Sequence, residues 1–191
     1  MEENIAYAVL NEIKNRKTDG RLIVAIDGRC ASGKTTLAKR LKELIDCTIF
    51  SMDDFFLREE QRTEERLKTP GGNVDYERFL REILLPLKNN AETLNYSKYN
   101  CKTGRLLKAP TKKCGDILIV EGSYSCHPKL ASFYGLKIFL SVSKEEQLRR
   151  IKDRNSESEA ERFKEKWIPL EELYFDAYKI QEHCDLCFKT D

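Results

Sequence analysis

Leu22-Ile23-Val24-Ala25-Ile26-Asp27-Gly28-Arg29-Cys30-Ala31-Ser32-Gly33-Lys34-Thr35-Thr36 is the stretch that decides the fold. An apolar, β-branched run breaks into Gly-x-x-x-x-Gly-Lys-Thr, the P-loop spacing, in the strand-to-helix setting that this motif needs. Glycines at 28 and 33 let the backbone curl so that successive N–H groups converge on a phosphate. Lys34 adds a point charge, and the Thr35 hydroxyl is of the kind that ligates Mg²⁺. The start of the following helix is itself an anion site. Gly28, Ala31, Ser32, Gly33, Lys34, Thr35 and Thr36 are therefore the expected nucleotide-phosphate contacts. A glycine-rich turn with no ligand is the plain structural alternative.

Working outward, Ile5, Val9, Leu10 and Ile13 stand at helical spacing before this strand, and Leu37, Leu41, Leu44 and Ile45 after it. Cys47 to Ser51 predicts a second strand, and Asp116 to Gly122 a buried strand ending in an acid and a glycine. Leu136 to Val142 predicts another strand, Lys144 to Arg154 a basic helix, and Leu186 to Phe188 a last strand. Tyr76, Phe79, Leu80, Ile83, Leu84 and Leu87 make a helical stripe with Asp75 near its N-cap. A later helix runs through Trp167, Leu173 and Tyr178, with Pro169 marking a break or kink. Strands alternating with helices call for a parallel sheet covered on both faces. The expected class is α/β: a P-loop three-layer sandwich with a five-stranded, mostly parallel sheet and a helical lid.

The chain of 191 residues is expected to be one domain over 1–191. The polar segment Thr93 to Leu107 turns at Thr103-Gly104 and suits an exposed hairpin, an acceptor-site insertion around 93–108 lying over a site. Arg58 to Lys68 has the composition of a solvated helix face, and Asn155 to Arg162 that of a mobile charged patch in a lid around 150–168. No repeat or low-complexity tract occurs.

Lysine plus arginine total 34 against 32 acids, a net charge of +2, so no basic excess argues for nucleic acid or an anionic membrane. No apolar run reaches the ~20 residues of a membrane span, and the acidic start is unlike a secretory signal, so a cytoplasmic protein is expected. Seven scattered cysteines, an odd number, speak for reduced thiols. A lone Cys184-x-x-Cys187 beside His183 is a weak metal signal, better read as part of a terminal strand. Cys30, near a helix N-terminus, sits where thiolate formation is favoured, although a small tolerated loop residue is the blander account.

A P-loop needs an acid at the end of a neighbouring apolar strand to orient Mg²⁺, and Glu121, after four aliphatics, is the candidate. A helix-capping role is its alternative. Asp53 ends the second strand, and in open α/β sheets the carboxyl ends of strands lie at the ligand crevice. A carboxylate there can accept the proton of an attacking hydroxyl or help hold the metal; adjacent Asp54 remains a competitor, and a turn-capping role remains open for both. The metal set is thus Thr35, Glu121 and Asp53. Arg149, Arg150 and Arg154, then Arg162, Lys164 and Lys166, supply cations for a lid that closes over transferred charge, with Arg150 and Arg154 sharing a helix face.

The P-loop, Ser51-Met52-Asp53-Asp54-Phe55-Phe56, the apolar strand ending Glu121-Gly122 and the Arg-rich helix before a charged lid together resemble the uridine kinase branch of the phosphoribulokinase and uridine kinase superfamily. The resemblance runs from about residue 20 to the end. It implies a kinase using ATP with Mg²⁺ to phosphorylate a hydroxyl of a small molecule, typically the 5′-hydroxyl of uridine or cytidine. By the same resemblance Asp53 is the catalytic aspartate, Phe56 holds an aromatic position usually filled by Tyr, Asp75 holds ribose hydroxyls, and Tyr99 lines the nucleoside pocket. Arg150 and Arg154 match lid arginines. The family's pyrimidine-reading histidine has no counterpart in Tyr99-Asn100-Cys101-Lys102-Thr103-Gly104-Arg105. Another small alcohol, such as a sugar or a pantothenate-like acceptor, remains open as substrate, as does a regulatory P-loop ATPase. The expected partner is a small-molecule acceptor, first of all a nucleoside; oligomeric state is open.

Overall fold

The computed structural model describes residues 2–17 and 19–191. Helix α1 (Glu2–Arg16) precedes β1 (Leu22–Gly28), and the P-loop leads into α2 (Lys34–Leu44). Strands β2 (Thr48–Ser51), β7 (Ile117–Glu121), β8 (Leu136–Ser141) and β9 (Leu186–Lys189) join β1 in one five-stranded sheet, ordered β2-β7-β1-β8-β9. All its pairings are parallel. The expected three-layer α/β architecture is the one observed, with the sheet wholly rather than mostly parallel.

Every residue of β1 is buried, as befits a central strand covered on both sides. The pleat sends Val24 and Ile26 to one face, where Ile5, Val9 and Ile13 of α1 and Leu37 and Leu41 of α2 pack. Ile23 and Ala25 go to the other, against Phe79, Ile83 and Leu84 and against Tyr174 and Phe175. Ile26 pairs with Glu121, and Glu121 with Ser51, so β1, β7 and β2 finish at one edge. That register places the P-loop, Glu121 and the residues after Ser51 side by side.

A helix at 76–88 carries a π-helical stretch, Leu80–Leu84, and is capped by Asp75, whose side chain accepts the Arg78 N–H. The hairpin predicted at Thr93 to Leu107 consists of β4 (Ser97–Asn100) against β5 (Arg105–Lys108). Below it β3 (Thr93–Leu94) pairs with β6 (Lys112–Lys113).

Three local expectations change. Asn155 to Arg162 is helical from Glu157, because Ser156 and Glu159 form a capping box and Ala160 buries against Cys30 and Ile151. Pro169 does not end the helix: the backbone stays helical from Glu157 to Tyr178, and a π-helical stretch, Phe163–Trp167, directly before the proline interrupts the regular α-helical ladder where its N–H is missing. Arg58 to Lys68 is not one solvated helix but two short turns, Glu59–Gln61 and Glu64–Lys68. Arg62 donates to Leu57 O, and Arg66 to Gly72 O and Val74 O, so their chains fold inward. No helix among the described residues is long and apolar enough to cross a membrane.

Candidate active site at the carboxyl edge of the sheet

Gly28 has φ +136°, and a Cβ there would lie 2.0 Å from Leu140 O, so only glycine fits between β1 and β8. Gly33 has φ +90°, and Ala31, unusually for a non-glycine, φ +60°. Lys34 Nζ donates to Gly28 O and Arg29 O at 2.7 Å each, which curls the loop around its own lysine. The buried Ser32 hydroxyl has no hydrogen-bond partner, an orphan of the kind that a phosphate oxygen satisfies. Thr36 is exposed in the first turn of α2.

Thr35 Oγ1 donates to Glu121 Oε2 at 2.8 Å, joining α2 to the end of β7. Asp53 follows β2 in the turn Met52–Phe55. Protein atoms crowd the Asp53 carboxyl, and the charges of Glu121 and Asp54 also push its pKa up, while Lys34 and Arg154 oppose them. The side chain nevertheless stays open to water. Thr35, Glu121 and Asp53 offer only oxygen donors, the set that suits Mg²⁺. Asp54 is already engaged: Lys98 Nζ lies 3.0 Å from its Oδ2 and the Tyr96 hydroxyl 3.3 Å.

The two arginines differ. Arg150 pairs with Glu146 at 2.7 Å and donates to Ala31 O and Thr190 O, bracing the P-loop against the chain's end. Arg154 is exposed, near the Phe163 ring, and its charge reaches Asp53. Phe56 bridges to Val74. Asp75 is buried on the wall of a cavity of about 610 Å³ that Gln61, Arg78 and Leu106 also line. Tyr99 sits opposite Leu106 in the hairpin, and its hydroxyl accepts from Arg62 Nη2 at 2.9 Å.

Two buried acids escaped the sequence. Asp27 accepts from the N–H groups of Gly28, Tyr124 and Cys126 and from the Tyr174 hydroxyl, at 2.7 to 3.0 Å. Burial pushes its pKa up against these donors and Lys34. Glu171 accepts the Cys30 N–H at 2.9 Å and the Ser123 hydroxyl at 2.5 Å. Burial pushes Glu171 up too, opposed first by the charge of Lys34. Each left a trace: Asp27 ends an apolar strand, and Glu171 stands on the same helix face as Ile168, Tyr174 and Tyr178. Beside it Glu172 pairs with Arg29 at 2.8 Å.

At Cys30 the plain account, a small loop residue, fits better than the thiolate one. Burial and the neighbouring Glu171 raise its thiol to about 12, so the loop holds a thiol and no favoured thiolate. The Cys184-x-x-Cys187 pair gathers no group of three metal-binding side chains among the described residues.

The family model described as "AAA domain" matches residues 24–167. Nicotinamide riboside kinase 1 of Mus musculus is 31% identical over 142 residues, 68% of this chain and 65% of that protein, so the matched stretch spans just under two thirds of that relative. Uridine kinase of Mycoplasma genitalium is 29% identical over 187 residues, 86% of this chain and 83% of the relative. Among solved structures, one described as a possible uridine kinase from Bacillus stearothermophilus superposes with a TM-score of 0.72 at 22% identity, covering 98% of this chain and 100% of that one. At that identity the likeness speaks for the fold.

Proposed function

The chain belongs to the AAA domain family and is a uridine kinase-like P-loop kinase, and from that premise we propose that it transfers a phosphoryl group from ATP to the 5′-hydroxyl of a pyrimidine nucleoside, uridine or cytidine. The observation that carries this is the meeting of Asp53, Glu121, Thr35 and Lys34 at one sheet edge, with Asp75 tied to the Asp53 turn by its N–H to Phe55 O at 2.7 Å.

The P-loop N–H groups and Lys34 hold the donor's phosphates. Mg²⁺, when bound through Thr35, Glu121 and Asp53, neutralises phosphate charge. Asp53 takes the proton from the acceptor hydroxyl, and its raised pKa brings its basicity closer to that task. Arg154, whose charge reaches Asp53, stabilises the transferred group, and Arg150 keeps the P-loop in shape through Ala31 O. Phe56, Asp75 and Tyr99 bound the acceptor. A cytoplasmic setting suits seven cysteines that are all free.

The test is ADP formation from ATP and Mg²⁺ with uridine, cytidine, other nucleosides, pantothenate and sugars, with Asp53→Asn as control. Turnover with uridine or cytidine that collapses in the variant supports the proposal. Hydrolysis without any acceptor, indifferent to Asp53, overturns it.

A further inference from the structure

Two thiols meet beside the buried Asp27. Cys126, 4% exposed, lies in the loop after β7, and half-buried Cys184 lies in the turn between Ile180–His183 and β9. They are 58 residues apart in the chain, and their Sγ atoms stand 3.9 Å apart. Cys187, the other cysteine of the Cys184-x-x-Cys187 pair, is exposed on β9, and its Sγ lies 3.4 Å from Gln181 O. The thiol that Cys184 touches is thus one remote in sequence, which the spacing of the cysteines along the chain does not reveal.

The two sulfurs are unequal in access. The Cys126 N–H and the Tyr174 hydroxyl both donate to Asp27 Oδ2, at 2.8 Å each, which fixes this loop against the helix Ile168–Tyr178. Contact with Cys184 and burial push the Cys126 thiol well above the ordinary thiol range, so the inner sulfur stays protonated and shielded. Of the two, Cys184 is the one open to solvent. Closing the 3.9 Å gap to a disulfide needs an approach of roughly 2 Å, a displacement that rotation about the Cα–Cβ bond of the outer cysteine supplies.

We propose that Cys126 and Cys184 are an oxidation site, at which a hydroperoxide closes a stabilising disulfide. Cys184, as its thiolate, attacks the terminal oxygen of the peroxide: the O–O bond breaks, an S–O bond forms, and the proton that Cys184 gave up goes to the leaving oxygen, which departs as an alcohol, or as water from hydrogen peroxide. The Cys126 sulfur then attacks the sulfenic sulfur; an S–S bond forms, the S–O bond breaks, and the Cys126 proton leaves with that oxygen as water. The thiols are oxidised by two electrons and the peroxide is reduced by two. The new bond closes a loop of 58 residues and pins the end of the helix that carries Glu171 and Glu172 to the loop after β7. Neither sulfur belongs to the Asp53–Glu121 edge, so the site stands whether or not the acceptor is a nucleoside.

The experiment exposes the reduced full chain to hydrogen peroxide, blocks the remaining thiols with N-ethylmaleimide and maps disulfides by mass spectrometry of a non-reduced digest, beside thermal unfolding with and without dithiothreitol. The expected main product is a Cys126–Cys184 cross-link, lighter by two hydrogens than the sum of its reduced peptides. The unfolding midpoint should rise by about 5–15 °C and return with dithiothreitol, because the bond removes freedom from the unfolded chain. Cys184→Ala should abolish the cross-link and the shift, whereas Cys187→Ala should leave both. No link between Cys126 and Cys184 after oxidation overturns the proposal, as does a Cys184–Cys187 or interchain bond in its place. A link that leaves the midpoint unmoved or lowers it also overturns it, as does a rise that persists in Cys184→Ala. Should that variant fail to fold, the disulfide map and the dithiothreitol-reversible shift of the wild type decide.

Discussion

Thr35 and Glu121 lie 86 residues apart in the chain and meet through a 2.8 Å hydrogen bond from hydroxyl to carboxylate. The contact joins the first turn of α2 to the end of β7, and it exists because β7 pairs with β1, the strand that feeds the P-loop. Glu121→Gln keeps an oxygen to accept from Thr35 and removes only the charge. The Mg²⁺ concentration for half-maximal ADP formation should then rise about 10- to 100-fold, with the midpoint of unfolding little changed. A Mg²⁺ titration that matches the wild type would remove Glu121 from the metal set.

Asp53 carries a second expectation, in pH. Its pKa is raised by crowding and by the charge of Glu121, so the acid limb of kcat should lie above the ordinary carboxylate value of 3.8, with activity lost as pH falls and the base becomes protonated. Asp53→Asn should lower kcat by about 10²- to 10⁴-fold and abolish that limb, while the KM for ATP moves much less. An acid limb that survives in the variant assigns the titration to another group.

Glu171 ties the P-loop to the helix that follows the lid segment. Glu171→Ala leaves the buried Cys30 N–H without its acceptor, at a cost of about 1–3 kcal/mol, while the Ser123 hydroxyl keeps only its longer bond to Gly28 O at 3.3 Å. Glu171→Gln retains an acceptor and sheds a charge whose burial is unfavourable, so it should be the more stable of the two variants. Denaturant unfolding of both, with the KM for ATP alongside, checks this; Ala and Gln variants of equal stability would deny the hydrogen bonds their role.

His127 should make folding sensitive to acid. It stacks on Tyr76 at 4.1 Å between ring centroids, and burial lowers its pKa from 6.5 to about 4. Arg66 and Lys129 push in the same direction, while Glu77 opposes them. Between these values the unfolded chain binds a proton that the folded one refuses. Stability is therefore fully present above pH 6.5 and is lost as pH falls towards 4, by roughly 3 kcal/mol. His127→Phe keeps a ring in the stack and should flatten that acid loss in unfolding midpoints taken at pH 7 and pH 5; an equally steep loss in the variant would assign it elsewhere.

Much of the sheet was legible because its strands are local apolar runs bounded by turn residues. Leu22 to Gly28 announces a central strand, and Asp116 to Gly122 another, since a strand buried on both faces must be apolar throughout. The capped helix at Asn155 to Arg162 was hidden because its charges masked a capping box, and the segment from Arg58 to Lys68 because inward-folding arginines look like solvated ones in a sequence. Asp53 and Asp54 could not be told apart by position; Lys98 and Tyr96, which engage Asp54, arrive from the hairpin side.

By itself, then, the sequence determined what is contiguous: the phosphate loop, its strand and helix, the acid that ends β7 and the α/β alternation, all set by local spacing and backbone preference. Only the tertiary structure decided what depends on distant groups becoming neighbours in a water-poor interior. Burial beside Glu171 keeps Cys30 a thiol, Glu171 itself closes on the P-loop, and Gln61 and Arg78 converge on the buried Asp75. The strength and protonation of a polar group follow from what excludes water around it, and that is a property of packing rather than of spacing along a chain.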